Sequence, residues 1–464
     1  MALITIRTVT TLLTPEQYGQ LSLLITVQAF CGLFLVNPVG QYINLRTHAW
    51  WDDGTLVARL KSYWNYLILV SLVGALVVLG LGAAHSKLLV LWPALVMFVM
   101  VCAGTWNSTL IPMLNMLGFR ALSVVWSIIT VALGLVCSIV LVRWLPSAQA
   151  WFAGQALGML GGALGAVYIA RGKIAAPILA LKKMPLLSRS TIVSYCLPLA
   201  VATGFMWLQL NGYRFVIESY WGLAQLGFLV IGFQLAGQIW ALTETMAMQF
   251  LTPLFYRRVS DNNDNAEIES AFSDLLNTLV PVYLVITGLL VFCAPYMLKV
   301  LVAAKFQGAT TPVMLGAVIE LCRVLGNLLT NAAHVRRKTK SLSLPYAVGS
   351  LTAVGLMIVA GSLKLGVIWA GAALVAGAVA MFAVMVVGMY RQVKFTLDTQ
   401  RCLIGCGFLC VMVLLLLAVP KISGLIAAIG MLILAGLFSA SVILILLWKN
   451  PATLRLVNVR LRGS

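Results

Sequence analysis

Apolar stretches about one membrane thickness long follow one another along the whole chain, separated by short polar breaks. A helix rises 1.5 Å per residue, so about 20 apolar residues cross about 30 Å of hydrocarbon. Fourteen stretches fit this reading: 1–13, 18–45, 63–84, 88–112, 121–142, 151–170, 191–219, 223–251, 272–294, 311–333, 345–361, 367–389, 402–419 and 424–448. Inside lipid each backbone N–H and C=O must find a partner without water, which a helix provides within itself. The expected fold is an all-α polytopic membrane protein of about 14 transmembrane helices. The first stretch stops at Thr14-Pro15, too early to span. The pattern predicts further apolar or basic residues upstream that complete it.

The polar breaks divide the chain. The segment 171–190 places Lys173, Lys182, Lys183 and Arg189 among Ile174, Ile178, Leu181 and Leu186, and reads as an amphipathic piece on the cytoplasmic membrane surface. It separates an N-terminal six-helix lobe, 1–170, from a C-terminal six-helix lobe, 191–389. Residues 390–464 then supply a last helix pair and a basic cytoplasmic tail. Arg7 precedes Tyr18-Gly19 and the span holding Gln28, as Arg214 precedes Leu226-Gly227 and the span holding Gln234. The similarity favours two homologous lobes in parallel orientation. A second break, 260–270, carries Asp264 and Glu267 at capping-box spacing and predicts a short surface helix before the ninth span.

Composition agrees. Hydrophobic residues make up 62% and charged residues 9%, against about 25% charge in soluble domains. No stretch remains for a globular domain with its own active site. With the N-terminus in the cytoplasm, outer loops hold only Lys87, Arg143, Lys299, Lys305, Lys364 and Lys421. Arg7, Arg214 and Arg323 lie within spans, and every other Lys and Arg falls inside, C-terminal tail included. The positive-inside rule produces this imbalance. The net charge of +19 therefore reads as topology and contact with anionic phospholipids, not as nucleic-acid binding.

Three segments resemble a known family. Thr11-Leu-Leu-Thr-Pro-Glu-Gln-Tyr-Gly-Gln-Leu-Ser-Leu is similar to the stretch after the first helix of bacterial Wzx-type polysaccharide-biosynthesis flippases, within the multidrug/oligosaccharidyl-lipid/polysaccharide exporter superfamily. Leu365-Gly-Val-Ile-Trp-Ala-Gly-Ala-Ala resembles the opening of their twelfth helix, and 299–312 their loop between helices nine and ten. The seventh span departs, with Asn211-Gly-Tyr-Arg214 where an Asp-Arg pair is frequent. The resemblance implies a two-lobe protein of the bacterial inner membrane. It would move an undecaprenyl-diphosphate-linked oligosaccharide, an O-antigen, capsule or exopolysaccharide unit, to the periplasmic leaflet by alternating access. Polymerase and chain-length proteins would act afterwards.

Ionisable residues inside a membrane are costly, by at least about 2.5 kcal/mol, and usually face water or a partner. Glu320 and Arg323 are three apart on one helix face and predict a pair, either structural or an arginine held in reserve for a diphosphate. Arg214 and Arg7 are the other diphosphate candidates, against snorkelling to headgroups. Glu244, with Glu320, is a candidate for pairing or ion coupling. Gln28, Asn37, Asn211, Gln234, Gln238 and Asn327 suit sugar hydroxyls collectively, although interhelical hydrogen bonding explains any one of them. Trp207, Tyr213, Trp221 and Trp240 would stack on sugar rings or anchor at the interface.

Other motifs read as packing. Gly154, Gly158, Gly161, Gly162 and Gly165 have small-xxx-small spacing. Cys402, Cys406 and Cys410 form an i, i+4, i+8 row read as helix packing, without a metal-ligand set. No Walker A motif occurs, so no nucleotide is expected, and no cofactor beyond a coupling H⁺ or Na⁺. The competing readings are a multidrug-type cation-coupled antiporter and a membrane subunit of an exopolysaccharide secretion complex. A membrane polymerase or ligase would show a large charged outer loop, which 295–310 is not.

Overall fold

The computed structural model describes residues 2–84, 91–174, 189–261, 264–336, 338–419, 424–448 and 450–458. The described residues form α-helices joined by short turns, with no strand among them. They are α1 (Ala2–Leu12), α2 (Pro15–Phe30), α3 (Asn37–Asp52), α4 (Leu56–Ala84), α5 (Leu91–Met116), α6 (Arg120–Trp144), α7 (Ala148–Ile174) and α8 (Arg189–Trp207). After them come α9 (Tyr213–Asp261), α10 (Asn265–Leu301), α11 (Thr310–Val335), α12 (Ser343–Ser362), α13 (Ile368–Tyr390), α14 (Thr399–Ala418), α15 (Leu425–Leu447) and α16 (Pro451–Asn458). Twelve stretches are long and apolar enough to cross a membrane. One of them, Cys196–Val259, breaks at Gly222, whose φ of 81° no helix permits, and so holds two spans. That gives thirteen spans among the described residues, with α1, the short first stretch, in addition.

The chain forms two compact units, Thr11–Phe215 and Ala2–Thr10 with Val216–Ser464. The sequence drew the division within 171–190, of which 175–188, with Lys182 and Lys183, lies outside the described residues. By contact the division falls after Phe215, because the 189–215 segment packs within the first unit. There Trp207 Nε1 donates to the Thr26 carbonyl at 3.0 Å, and Phe34 fills the space beside Gly204. Residues 2–10 pack within the second unit, where Arg7 donates to the Val302 carbonyl and Thr10 Oγ1 accepts from Ala303 N–H at 3.3 Å.

In the first unit α6 and α7 approach until backbone meets backbone. A Cβ on Gly158 would lie 2.2 Å from Gly134 Cα, and one on Gly154 2.3 Å from Ser138 Cα. Small residues permit that approach, and dispersion between the two surfaces holds the pair where no hydrophobic effect operates. Asn107 ties α5 to α7 through the Met159 carbonyl at 2.7 Å. The Thr14-Pro15-Glu16-Gln17 segment is a capping box: Gln17 N–H donates to Thr14 Oγ1 and Thr14 N–H to Gln17 Oε1. Gln17 Nε2 also donates to the Pro146 carbonyl at 2.7 Å.

In the second unit α10 is central, with α11, α14, α15 and α16 packed on it. The surface helix expected at 260–270 is instead the first turns of the unbroken α10. Asp264 caps it by accepting from Ala266 N–H at 3.2 Å, but Glu267 leaves the cap to bind Arg258. The carboxylate of Asp274, 2% exposed, takes Arg258 at 2.7 Å and Arg455 of α16 at 2.5 Å. The cysteine row of α14 is corrected. Cys406 and Cys410 are exposed, because the buried face of α14 carries Gly405, Phe408 and Met412 instead. Gly405 and Phe408 meet α10 at Leu284 and Gly288.

Candidate functional site

Two polar places stand out, one in each unit. In the second unit, Glu320, Arg323 and Asn327 sit at i, i+3 and i+7 on one face of α11, and Glu244 meets them from α9. Arg323 Nε donates to Glu320 Oε2 at 2.6 Å, and its Nη1 lies 3.1 Å from Glu244 Oε2. Asn327 Nδ2 donates to Glu244 Oε1 at 2.8 Å. The three charged side chains are 18–19% exposed. The i,i+3 pair forms as expected, and Glu244, named from the sequence as a candidate for pairing, joins it from α9. Two carboxylates share one guanidinium, so the fully ionised cluster is net negative.

In the first unit residues of α2, α3, α5 and α7 line a half-open cavity of ~390 Å³. Gln28 and Asn37 both line it. They are nine residues apart, two and a half α-turns, and on a plain α-helix would face opposite ways. The π-turn Cys31–Val36 lies between them and changes the phase, as such wide turns often do at functional sites. Tyr66 donates from its hydroxyl to the Leu35 carbonyl inside that turn, at 2.7 Å. Gln41 and Asn44 continue the polar wall along α3, and Ser108 and Thr109 face it from α5. Among the described residues none that lines it is charged or aromatic.

The remaining candidates lie elsewhere. Arg214 Nη1 donates to the Ser22 carbonyl and to Thr26 Oγ1, both at 3.3 Å, tying the 189–215 segment to α2. Arg7 holds the Val302 carbonyl. Asn211 lies in a second π-turn, Leu208–Gly212, and Gln234 and Gln238 lie on α9. None of these three lines the cavity of the first unit. The aromatics serve structure. Trp207 and Trp221 donate to the carbonyls of Thr26 and Leu365, and Trp240 is fully buried, edge-on to Tyr283. No group of three metal-ligating side chains occurs among the described residues.

Comparison with known proteins follows this geometry. A lipid II flippase MurJ in an inward closed conformation superposes with a TM-score of 0.67 at 13% identity, covering 96% of each chain. That likeness establishes the fold. The eukaryotic MATE transporter AtDTX14 gives a TM-score of 0.48 at 12% identity, covering 88% of this chain and 89% of that one. No curated protein sequence matches the chain. The family model described as polysaccharide biosynthesis protein matches residues 9–311. That range includes the capped Thr14–Gln17 turn, the neutral cavity and Glu244. The chain belongs to the polysaccharide biosynthesis protein family.

Proposed function

We propose that this protein is a flippase that moves an undecaprenyl-diphosphate-linked oligosaccharide from the cytoplasmic to the periplasmic leaflet of a bacterial inner membrane by alternating access. The observation that carries this is the fold of a lipid II flippase along 96% of the chain, in a member of a polysaccharide-biosynthesis family. The oligosaccharide is a unit of O-antigen, capsule or exopolysaccharide. Polymerase and chain-length proteins then extend it, and anionic phospholipids contact the basic inner loops. On this reading the protein transports and does not catalyse.

Arg323 would meet the diphosphate; Arg214 and Arg7 are the other two candidates, each proposed by itself. Arg323 is engaged by Glu320 and Glu244. Neutralising either carboxylate, by H⁺ or by Na⁺, would release donors for phosphate oxygens. Cation coupling and anion binding would then share one site. The test is deletion in the native host. Loss of surface polysaccharide with accumulation of the lipid-linked oligosaccharide inside is expected, reversed by the plasmid-borne chain. Normal surface polysaccharide without accumulation would overturn the reading.

A second reading has one observation in its favour. The cluster holds two acids to one base, which suits an organic cation. A cation-coupled multidrug antiporter predicts that deletion raises sensitivity to cationic dyes and leaves surface glycan intact.

A further inference from the structure

We infer that the cavity of the first unit is a saccharide subsite, taking the uncharged sugar portion of the lipid-linked substrate and not its diphosphate; this rests on the flippase reading. Its ~390 Å³ falls within the roughly 300–1,000 Å³ of small-molecule sites. No described lining residue is charged. A phosphate withdrawn from water needs cationic donors aimed at it, so this wall does not suit the charged end of the lipid.

The polar groups present match hydroxyls. Gln28, Asn37, Gln41 and Asn44 bring amide N–H donors and carbonyl acceptors to the wall, with Gln41 Nε2 donating to Asn37 Oδ1 at 3.4 Å. Adjacent hydroxyls of a pyranose ring give and accept in that same pattern. Across the cavity, Ser108 and Thr109 both donate to the Thr105 carbonyl at 2.9 Å. Their own protons are thereby engaged; Ser108, exposed at the wall, keeps lone pairs to accept from a sugar hydroxyl, whereas the buried Thr109 lies against Tyr63. With no aromatic in the wall, the ring is held by its edges and not by stacking.

Three glycines leave the space open. Gly32, Gly40 and Gly104 line the cavity, and a Cβ on any of them would meet no atom within 4 Å. Gly154 and Gly158 are glycine because backbone presses on them. These three are glycine where nothing presses, at a cost in helix propensity. What they retain is open volume beside the amides.

That volume supplies a test in which folding and binding separate. A side chain at Gly104 or Gly32 fills the cavity and raises helix propensity, so G104L and G32L should reach the membrane at the level of the unmodified chain. G80L is the control, since Gly80 also has open space but lies outside the cavity. The probes are undecaprenyl diphosphate alone and the glycan-bearing lipid that accumulates in deleted cells, bound to the purified full chain. The unmodified chain and G80L should bind the glycan-bearing lipid at least tenfold more tightly than the bare one. G104L, G32L and the double variant Q41A/N44A should lose that preference to within twofold and keep their affinity for the bare lipid. The double variant adds no volume, so it decides the matter should the leucines fail to accumulate. Preference retained in all three variants overturns the subsite. Equal binding of both lipids to the unmodified chain also overturns it and leaves the flippase reading standing. Binding of neither lipid removes both.

Discussion

At the residue scale, Arg323 has the most specific environment among the intramembrane charges. Its fork is held from two sides by carboxylates on two helices, so no neutral residue can replace it without stranding two acids in the membrane. Arg323→Ala should abolish glycan export. Arg323→Lys should restore it only partly, because one ammonium cannot meet both carboxylates in a fork. Glu320→Gln separates two roles. If Glu320 carries the coupling ion, export stops with the protein still inserted; if it only neutralises Arg323, the variant accumulates less but still exports. Surface glycan and membrane protein level, measured together, read both outcomes, and normal export by Arg323→Ala would remove the cluster from the mechanism. The residues of this site were legible in the sequence, their assembly only in part. Glu320, Arg323 and Asn327 repeat at helical spacing. Glu244 stood out as an intramembrane acid, but it lies on another helix, and only tertiary packing shows that it meets Arg323 and Asn327. The cavity residues Ser108 and Thr109 gave no signal, because such hydroxyls in membrane helices ordinarily bond their own backbone, as these do.

At the element scale, the helices were legible because lipid allows little else, whereas their partners were not. Apolar periodicity identified α14 but assigned its cysteines to the packed face. The packed face is set by the shape of α10, into which Gly405 and Phe408 fit. The 37 residues of α10 likewise exceed one span, because its first turns serve as the anchor for α16. Asp274 is the joint, buried between Arg258 and Arg455. Truncating it leaves the buried guanidinium of Arg258 with one carboxylate, Glu267, and the Ser270 hydroxyl. Breaking a buried pair from one side costs about 3–5 kcal/mol, so Asp274→Ala should lower the thermal midpoint in detergent sharply. Arg455 is more than half exposed, and pairs of that kind contribute about 0–1 kcal/mol. Arg455→Ala should therefore leave the midpoint nearly unchanged. Equal losses from both variants would show that α16, not the Arg258 anchor, carries the stability of this joint.

At the scale of the whole molecule, alternation of loops can be checked within the second unit. Arg336 after α11 donates to Asn265 Oδ1 at the start of α10, at 2.6 Å, and to the Gln392 carbonyl after α13, at 3.2 Å. Asn277 Nδ2 donates to the Thr396 carbonyl before α14, and Arg455 reaches Asp274. These segments carry basic residues that the sequence placed inside, and they share one end of the unit. The opposite end gathers Val302 and the turn at 361–365, where Trp221 donates to the Leu365 carbonyl and Lys364 takes a left-handed φ of 54°. The proposed topology, with both termini in the cytoplasm, would place these two ends on opposite membrane faces, with the basic one inside. Arg337 and Lys421, which made the same argument in the sequence, lie outside the described residues; Asp264 and Lys364 replace them as probes. Alkaline phosphatase, active only in the periplasm, should be active when fused after Lys364 and inactive after Asp264. A fluorescent protein that matures only in the cytoplasm should report the reverse. Phosphatase activity at Asp264 would invert the molecule and place the Asp274 joint outside. Activity at both positions would mean that a span has been miscounted between α10 and α12, and the pairing of loops by charge would fail with it.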